Sequence, residues 1–347
     1  MVLNKEKKCF IAAEISSNHG QDLKRAVAMI KKAKECGADA VKFQTYTPDT
    51  LTIDADTKYF KIKHPEWGGQ TLYELYVKAY TPWNWFPKLK KAADRAGVVF
   101  FSTVYDKSSV DLLEDLGVSF HKISSFELID LPLIEYAAKT RKPLVLSTGM
   151  ANLKEIKAAV AIARKCGARK VTLLKCVSSY PADPADMNLK TIPDMARRFD
   201  VPVGISDHTL DMSASLAAVA LGACMVEKHF TLSREFNAPD SFFSIEPNEL
   251  KDLVRNVRNV EKALGTVKYK VTDKERANLV FRRSLFATES IKKGEMFSQK
   301  NIGSIRPSYG IEPKYLKKIL MKRASRPIKK GMPLKWDMVE QNHRRGL

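Results

Sequence analysis

No apolar run in this 347-residue sequence approaches the roughly 18 residues that a membrane-spanning helix needs, so no bilayer partner is expected. The N-terminus, MVLNKEKKCFIAAEIS, starts basic, but its apolar stretch is short and Glu14 interrupts it, so no signal peptide is read there. Cysteine is scarce: five residues, an odd number, none in a CxxC pair. That excludes a disulfide framework or a zinc ribbon, and Cys9, Cys36, Cys166, Cys176 and Cys224 are expected to be reduced, mostly buried thiols of a cytoplasmic protein. A glycine-rich nucleotide loop is also missing. EISSNHG stands after the first strand candidate, which argues against an open dinucleotide-binding sheet. Acidic residues are in short supply, 39 against 59 Lys and Arg, and the deficit is uneven: residues 266–347 hold 21 basic and 7 acidic side chains. That module shows no RNA-binding signature or zinc knuckle, so no nucleic-acid partner is expected. Its charge suits the gathering of small anions instead.

What is present alternates. Short apolar, β-branched runs are predicted as strands at 9–16, 40–45, 98–104, 119–125, 143–148, 170–177, 201–206 and 224–230. Amphipathic helical segments lie between them, several stopped by glycine, as at Gly97, Gly167 and Gly265. Eight such pairs predict an α/β fold, a (β/α)8 TIM barrel over residues 1–265. Residues 46–83 form a long insertion after the second strand, of the kind that covers a site. A linker at 266–282 then leads to a small β-rich domain at 283–347, where IKKGEMFS and IKKGMPLKWDMV resemble each other.

The strand ends are polar where buried parallel strands should be apolar. In chain order they carry Glu14; Lys42 and Gln44; Ser102 and Thr103; Lys122, Ser124 and Ser125, with Glu127 just beyond; Ser147 and Thr148; Lys175 and Ser178; Ser206, Asp207 and His208; and Glu227, Lys228 and His229. One polar strand end is routine. Eight on one barrel rim would be costly without a ligand to use them. Lysines and hydroxyls suit a phosphate and a carboxylate. His208 and His229 end neighbouring strands and make a plausible open site for a divalent metal. His19 could be a third member or could hold a loop.

The segments AEISSNHG, GADAVKFQTYTPDTL, HKISSFE, PLVLSTGM, LKCVSSYP, VGISDHT, ALGACMVEKHFT and APDSFFSIEP together resemble the N-acetylneuraminate (sialic acid) synthase family. SLFATESIKKGEMFS and IRPSYGIEPKYL are similar to that family's C-terminal antifreeze-like (SAF, β-clip-like) domain. Within the family the chain is most similar to the branch that makes pseudaminic acid; branches making N-acetylneuraminate or legionaminate stay open. Phe126 and Ser241 stand where the sialic branch has Gly and His. A bulky Phe126 near the sugar would suit a 6-deoxy sugar.

The resemblance implies condensation of phosphoenolpyruvate with an amino sugar, helped by Mn²⁺ or Mg²⁺. His208 and His229 match the family's metal ligands. Lys42, Lys122, Ser125, Ser147, Ser178 and Ser206 match or adjoin phosphoenolpyruvate-binding positions, with Thr103 among the substrate-binding residues. Glu14 and Glu127 are the carboxylates to handle protons, and Asp240, Tyr180 and Gln44 are expected near the sugar. Arg306 matches a residue that reaches the partner's barrel in a domain-swapped homodimer. Other classes remain open from the residues: a barrel aldolase using Lys42, Lys122 or Lys175 as a Schiff base, or a sugar-binding protein without catalysis.

Overall fold

The computed structural model describes residues 8–341. The tips of the two predicted domains, 1–7 and 342–347, lie outside them. The chain divides into two compact units, at Gly265 and Thr266.

In the first unit, eight parallel strands close into a barrel in sequence order. They are β1 (Phe10–Glu14), β2 (Ala40–Thr45), β3 (Val99–Val104), β4 (His121–Ile123), β5 (Leu144–Ser147), β6 (Val171–Cys176), β7 (Val203–Asp207) and β8 (Met225–His229). The barrel closes where β1 pairs with β8, placing Glu14 beside both Lys42 and His229. A helix follows each strand, from Leu23–Glu35 to Pro247–Leu264. The starts are built locally. Asp22 accepts from the backbone N–H groups of Lys24 and Arg25, and Asn152 forms a capping box with Glu155.

Period-two alternation sorts each strand's side chains. One set faces the surrounding helices and makes the main core, including Ile11, Val41, Phe43, Leu144 and Val226. The other fills the barrel. At its N-terminal end Phe10, Phe101, Phe120 and Met225 form an apolar plug, with the Phe101 and Phe120 rings 4.6 Å apart. Higher along the strands the inward set turns polar.

Alternation also corrects the predicted rim. Asp207 and Lys228 face outward, where they pair at 3.1 Å, with Lys228 Nζ donating to the Thr209 carbonyl at 2.6 Å. Both are buried, and leaving either alone would strand a charge at a cost of about 3–5 kcal/mol. Ser102 is likewise outward, 2.6 Å from the Thr45 hydroxyl. Lys175 faces away from the barrel interior, its ammonium on the Cys176 carbonyl at 3.2 Å. These residues hold the strands to their surroundings.

The second unit has its own core, around Leu285, Ile302, Ile319 and Leu334. β9 (Ser284–Ala287) and β10 (Ile302–Ile305) pair antiparallel. The two similar stretches meet: Ile291 and Ile328 exchange backbone hydrogen bonds of 2.8 Å. Each is followed by a lysine pair and a left-handed glycine, Gly294 at φ 78° and Gly331 at φ 83°, which is why KKG recurs. Cys9, Cys36, Cys166 and Cys176 are free thiols. Among the described residues no helix is long and apolar enough to cross a membrane.

Candidate active site

The polar ends of the inward strand set converge on a cavity of about 480 Å³ at the barrel's C-terminal mouth. Its floor is ionic. Lys42 Nζ lies 3.3 Å from Glu14 Oε2, 3.1 Å from Glu227 Oε1 and 3.0 Å from Thr103 Oγ1. Lys122 Nζ donates to Ser147 Oγ at 2.7 Å, and Ser206 Oγ donates to Glu227 Oε1 at 3.2 Å. Lys42, Lys122, Glu14 and Glu227 are all buried. Buried charges persist only when paired, and here the lysines are deeper than surface lysines ever sit without a reason.

Burial shapes their protonation. It pushes Glu14 up to about 7, against the pull of Lys42. It pushes Lys122 down to about 8, against Glu227. Lys42 goes the other way: burial alone would lower it, but Glu14 and Glu227 hold its proton. Burial raises Glu127 and Asp240 as well. Glu14 Oε2 meets only the Lys42 ammonium, and Glu227 Oε2 makes no hydrogen bond, leaving one acceptor unspent beside the cavity.

Hydroxyls crowd one side. Ser125 Oγ accepts from the Gly149 backbone N–H at 3.0 Å. A Cβ on Gly149 would collide with the hydroxyls of both Ser125 and Ser178, so glycine is required there. Hydroxyl groups and two ammonium groups around one space suit an anion with several oxygens. Ser178 stands just behind this wall, 3.8 Å from the Cys176 sulfur.

Opposite lie the imidazoles. The His208 and His229 rings are 5.3 Å apart. His208 Nδ1 donates to the Val177 carbonyl at 2.8 Å, which fixes its tautomer and leaves Nε2 to accept. His229 Nδ1 is buried and bonded to nothing, 3.9 Å from Asp240 Oδ2. Burial and the cations around it keep His229 neutral, its lone pair available. The donor set therefore fits a divalent ion held by His208 and His229. Among the described residues no three His, Cys, Asp or Glu side chains cluster as a preformed metal site.

A polar chain links the two sides. Gln44 Nε2 donates to Glu14 Oε1 at 2.9 Å and to Ser16 Oγ at 2.7 Å, and Ser16 donates to Asp240. Ser16 has φ 47°, a left-handed conformation that L-residues seldom adopt, held in place by these bonds. The Tyr180 ring packs 4.4 Å from that of His208.

Of the predicted residues, Lys42, Gln44, Lys122, Ser125, Glu127 and Ser147 line the cavity, as do Tyr180, Ser206, His208, His229 and Asp240. Glu14 and Thr103 lie beneath, bonded to its lining. Arg306 belongs to the second unit, where it is exposed just after β10. His19 is not at the imidazole pair. Its Nε2 meets Thr81 Oγ1 at 2.9 Å and its Nδ1 accepts from the Gln21 N–H at 3.1 Å, so it holds a loop. Ser241 is buried away from the cavity and donates to Asn18 at 3.2 Å. Phe126 borders the mouth but is 57% exposed. Glu227 carries no expected role, and its place among the polar strand ends is its one signal in the sequence; the structure sets it 3.1 Å from Lys42. Cys176, Ser16 and Trp67 had no such signal. Trp67, from the insertion, reaches across to donate to the Pro239 carbonyl at 2.7 Å.

A closed parallel barrel whose C-terminal mouth gathers buried lysines, buried carboxylates and an imidazole pair defines an anion-handling enzyme of the TIM-barrel class. The chain belongs to the NeuB family, whose profile matches residues 29–269, and it carries a SAF domain at residues 282–340. It is 43% identical to the pseudaminic acid synthase of Campylobacter jejuni, over 96% of this chain and 97% of that one. The pseudaminic acid synthase of Helicobacter pylori is 40% identical, over 96% and 98%. The crystal structure of N-acetylneuraminic acid (sialic acid) synthetase from Leptospira borgpetersenii matches with TM-score 0.70 at 33% identity, over 79% of this chain and 90% of that one.

Proposed function

We propose that this enzyme is a pseudaminic acid synthase. It joins C3 of phosphoenolpyruvate to the aldehyde carbon of 2,4-diacetamido-2,4,6-trideoxy-L-altrose. Water adds at C2, and the C–O bond to phosphate breaks, giving pseudaminic acid and inorganic phosphate. The observation that carries this reading is the ionic floor, where Lys42, Lys122 and a wall of serine hydroxyls face the His208–His229 pair across one cavity. Kinship with pseudaminic acid synthases along nearly the whole chain supports the choice of sugar.

In this reading Lys42, Lys122, Ser125, Ser147 and Ser206 hold the phosphate and carboxylate of phosphoenolpyruvate, with Ser178 supporting the wall. Glu14, pushed up to about 7, is poised to exchange a proton near neutrality, and Glu127, also raised, stands at the rim for the same work. Thr103 orients Lys42 at 3.0 Å. Gln44, Tyr180 and Asp240 position the sugar. His208 and His229 would hold Mn²⁺ or Mg²⁺. When bound, that ion supplies Lewis-acid polarisation of an aldehyde oxygen.

A homodimer completes the reading. Phe126, Ile129, Met150 and Leu210, on loops after barrel strands, and Leu153, at the start of the helix Leu153–Lys165, are large exposed apolar residues. A collar of this kind at a site's mouth suits cover by another protein surface. Arg306 of one copy would then contact the sugar's acyl group in the other.

The test offers 6-deoxy-altrose, 6-deoxy-mannose and N-acetylmannosamine substrates separately, with phosphoenolpyruvate and Mn²⁺, and follows phosphate release. The altrose derivative should turn over best, and chelation should stop it. Efficient turnover of N-acetylmannosamine alone would overturn the assignment in favour of an N-acetylneuraminate synthase.

A further inference from the structure

The cavity has two characters. Its floor is ionic, but the side given by the insertion is apolar, lined by Leu51, Ile62, Leu72, Leu75, Tyr76 and Ala79. Four of these lie on the insertion helix (Leu72–Ala79) at positions i, i+3, i+4 and i+7. A surface helix normally turns such a stripe onto its own core. Here no residue of the helix is buried, and the opposite face, Glu74, Val77 and Lys78, is exposed. The stripe borders the cavity in place of a core. The helix is nonetheless firmly set: Thr71 and Glu74 form a capping box at its start, and Gln21 donates to the Tyr80 carbonyl at 2.5 Å beyond its end.

We propose that this helix stripe is the element that reads the sugar's terminal carbon and selects a 6-deoxy sugar over its 6-hydroxy counterpart. The inference rests on the synthase reading. Its logic is the length of the open-chain sugar. The aldehyde carbon must stand at the floor, beside phosphoenolpyruvate and the imidazoles. C6 is the opposite end of the chain, so it reaches furthest toward the apolar side. A methyl group there removes apolar surface from water on both partners. A hydroxyl there gives up water for a wall of aliphatic side chains. The acyl methyls on C2 and C4 are common to both sugars and cannot discriminate between them.

The test compares two sugars that differ only at C6, methyl against hydroxymethyl, with saturating phosphoenolpyruvate and Mn²⁺. The wild type should favour the deoxy sugar in kcat/KM by roughly 10–100-fold, the range open to an apolar pocket facing one added hydroxyl. Leu75→Gln should cut that ratio roughly fivefold or more through KM for the sugar, with KM for phosphoenolpyruvate unmoved. Leu75→Met should restore the ratio. Ala79→Ser, a smaller change, repeats the measurement should Leu75→Gln melt early. A wild type indifferent to C6, or a ratio that survives both polar substitutions, would overturn the inference. If the wild type releases no phosphate with any amino sugar, the synthase reading itself fails, so the two failures are distinguishable.

Discussion

Lys122 is the side chain whose environment says most about its work. Its ammonium is buried, donates to the Ser147 hydroxyl at 2.7 Å, and has its pKa pushed down to about 8 by loss of water. Below that pH it is charged and attracts an anion; above it the charge is lost. In the free enzyme, kcat/KM for phosphoenolpyruvate should therefore show a limb that falls as pH rises through about 8. Lys122→Met should lower kcat/KM by roughly 10–150-fold, the worth of one charge-assisted hydrogen bond of about 1.5–3 kcal/mol, and remove that limb. A limb that persists unchanged in Lys122→Met belongs to another group. Single residues were also where the sequence misled. Ser102, Lys175, Asp207 and Lys228 read as rim residues because they end strands, but the pleat turns them outward. A shift of one residue in a strand's phase exchanges its two faces, and composition alone does not set phase.

Among the elements, the insertion is the one whose position decides the site. His19 is its latch, joining the first loop of the barrel to Thr81, which is buried. Burial holds His19 down to about 4, so it is neutral over any ordinary assay range and contributes no pH dependence there. His19→Ala should leave Thr81 without its partner and lower stability by about 1–3 kcal/mol in denaturant unfolding. It should also raise KM for the sugar more than KM for phosphoenolpyruvate, since the insertion supplies the cavity's apolar side. Equal damage to both would assign His19 to general folding. The eight strands and their helices were legible because periodicity and glycine stops are local signals. β4 came out at three residues, shorter than its apolar run suggests. The insertion was legible only as a cover. Which way its helix faces is a tertiary fact that no local pattern encodes.

For the molecule as a whole, the question is whether one chain suffices. Arg306 is exposed in the second unit, and the barrel's exposed apolar loops belong to the first. If copies complete each other, Lys42→Met and Arg306→Ala chains, each inactive alone, should recover up to about a quarter of wild-type activity when mixed and re-formed, because one pairing in a random set unites an intact site. No recovery from a mixture shown by sedimentation to contain mixed dimers would place Arg306 outside the site.

The aromatic plug of Phe10, Phe101 and Phe120 has a further consequence. It makes the barrel a blind shaft, open at a single end. Whatever rests on the lysines must descend before anything sits above it, and cannot be replaced until the occupant overhead has gone. On the proposed reading the small acid should therefore bind before the sugar, and initial-velocity and dead-end inhibition patterns showing random order would contradict it.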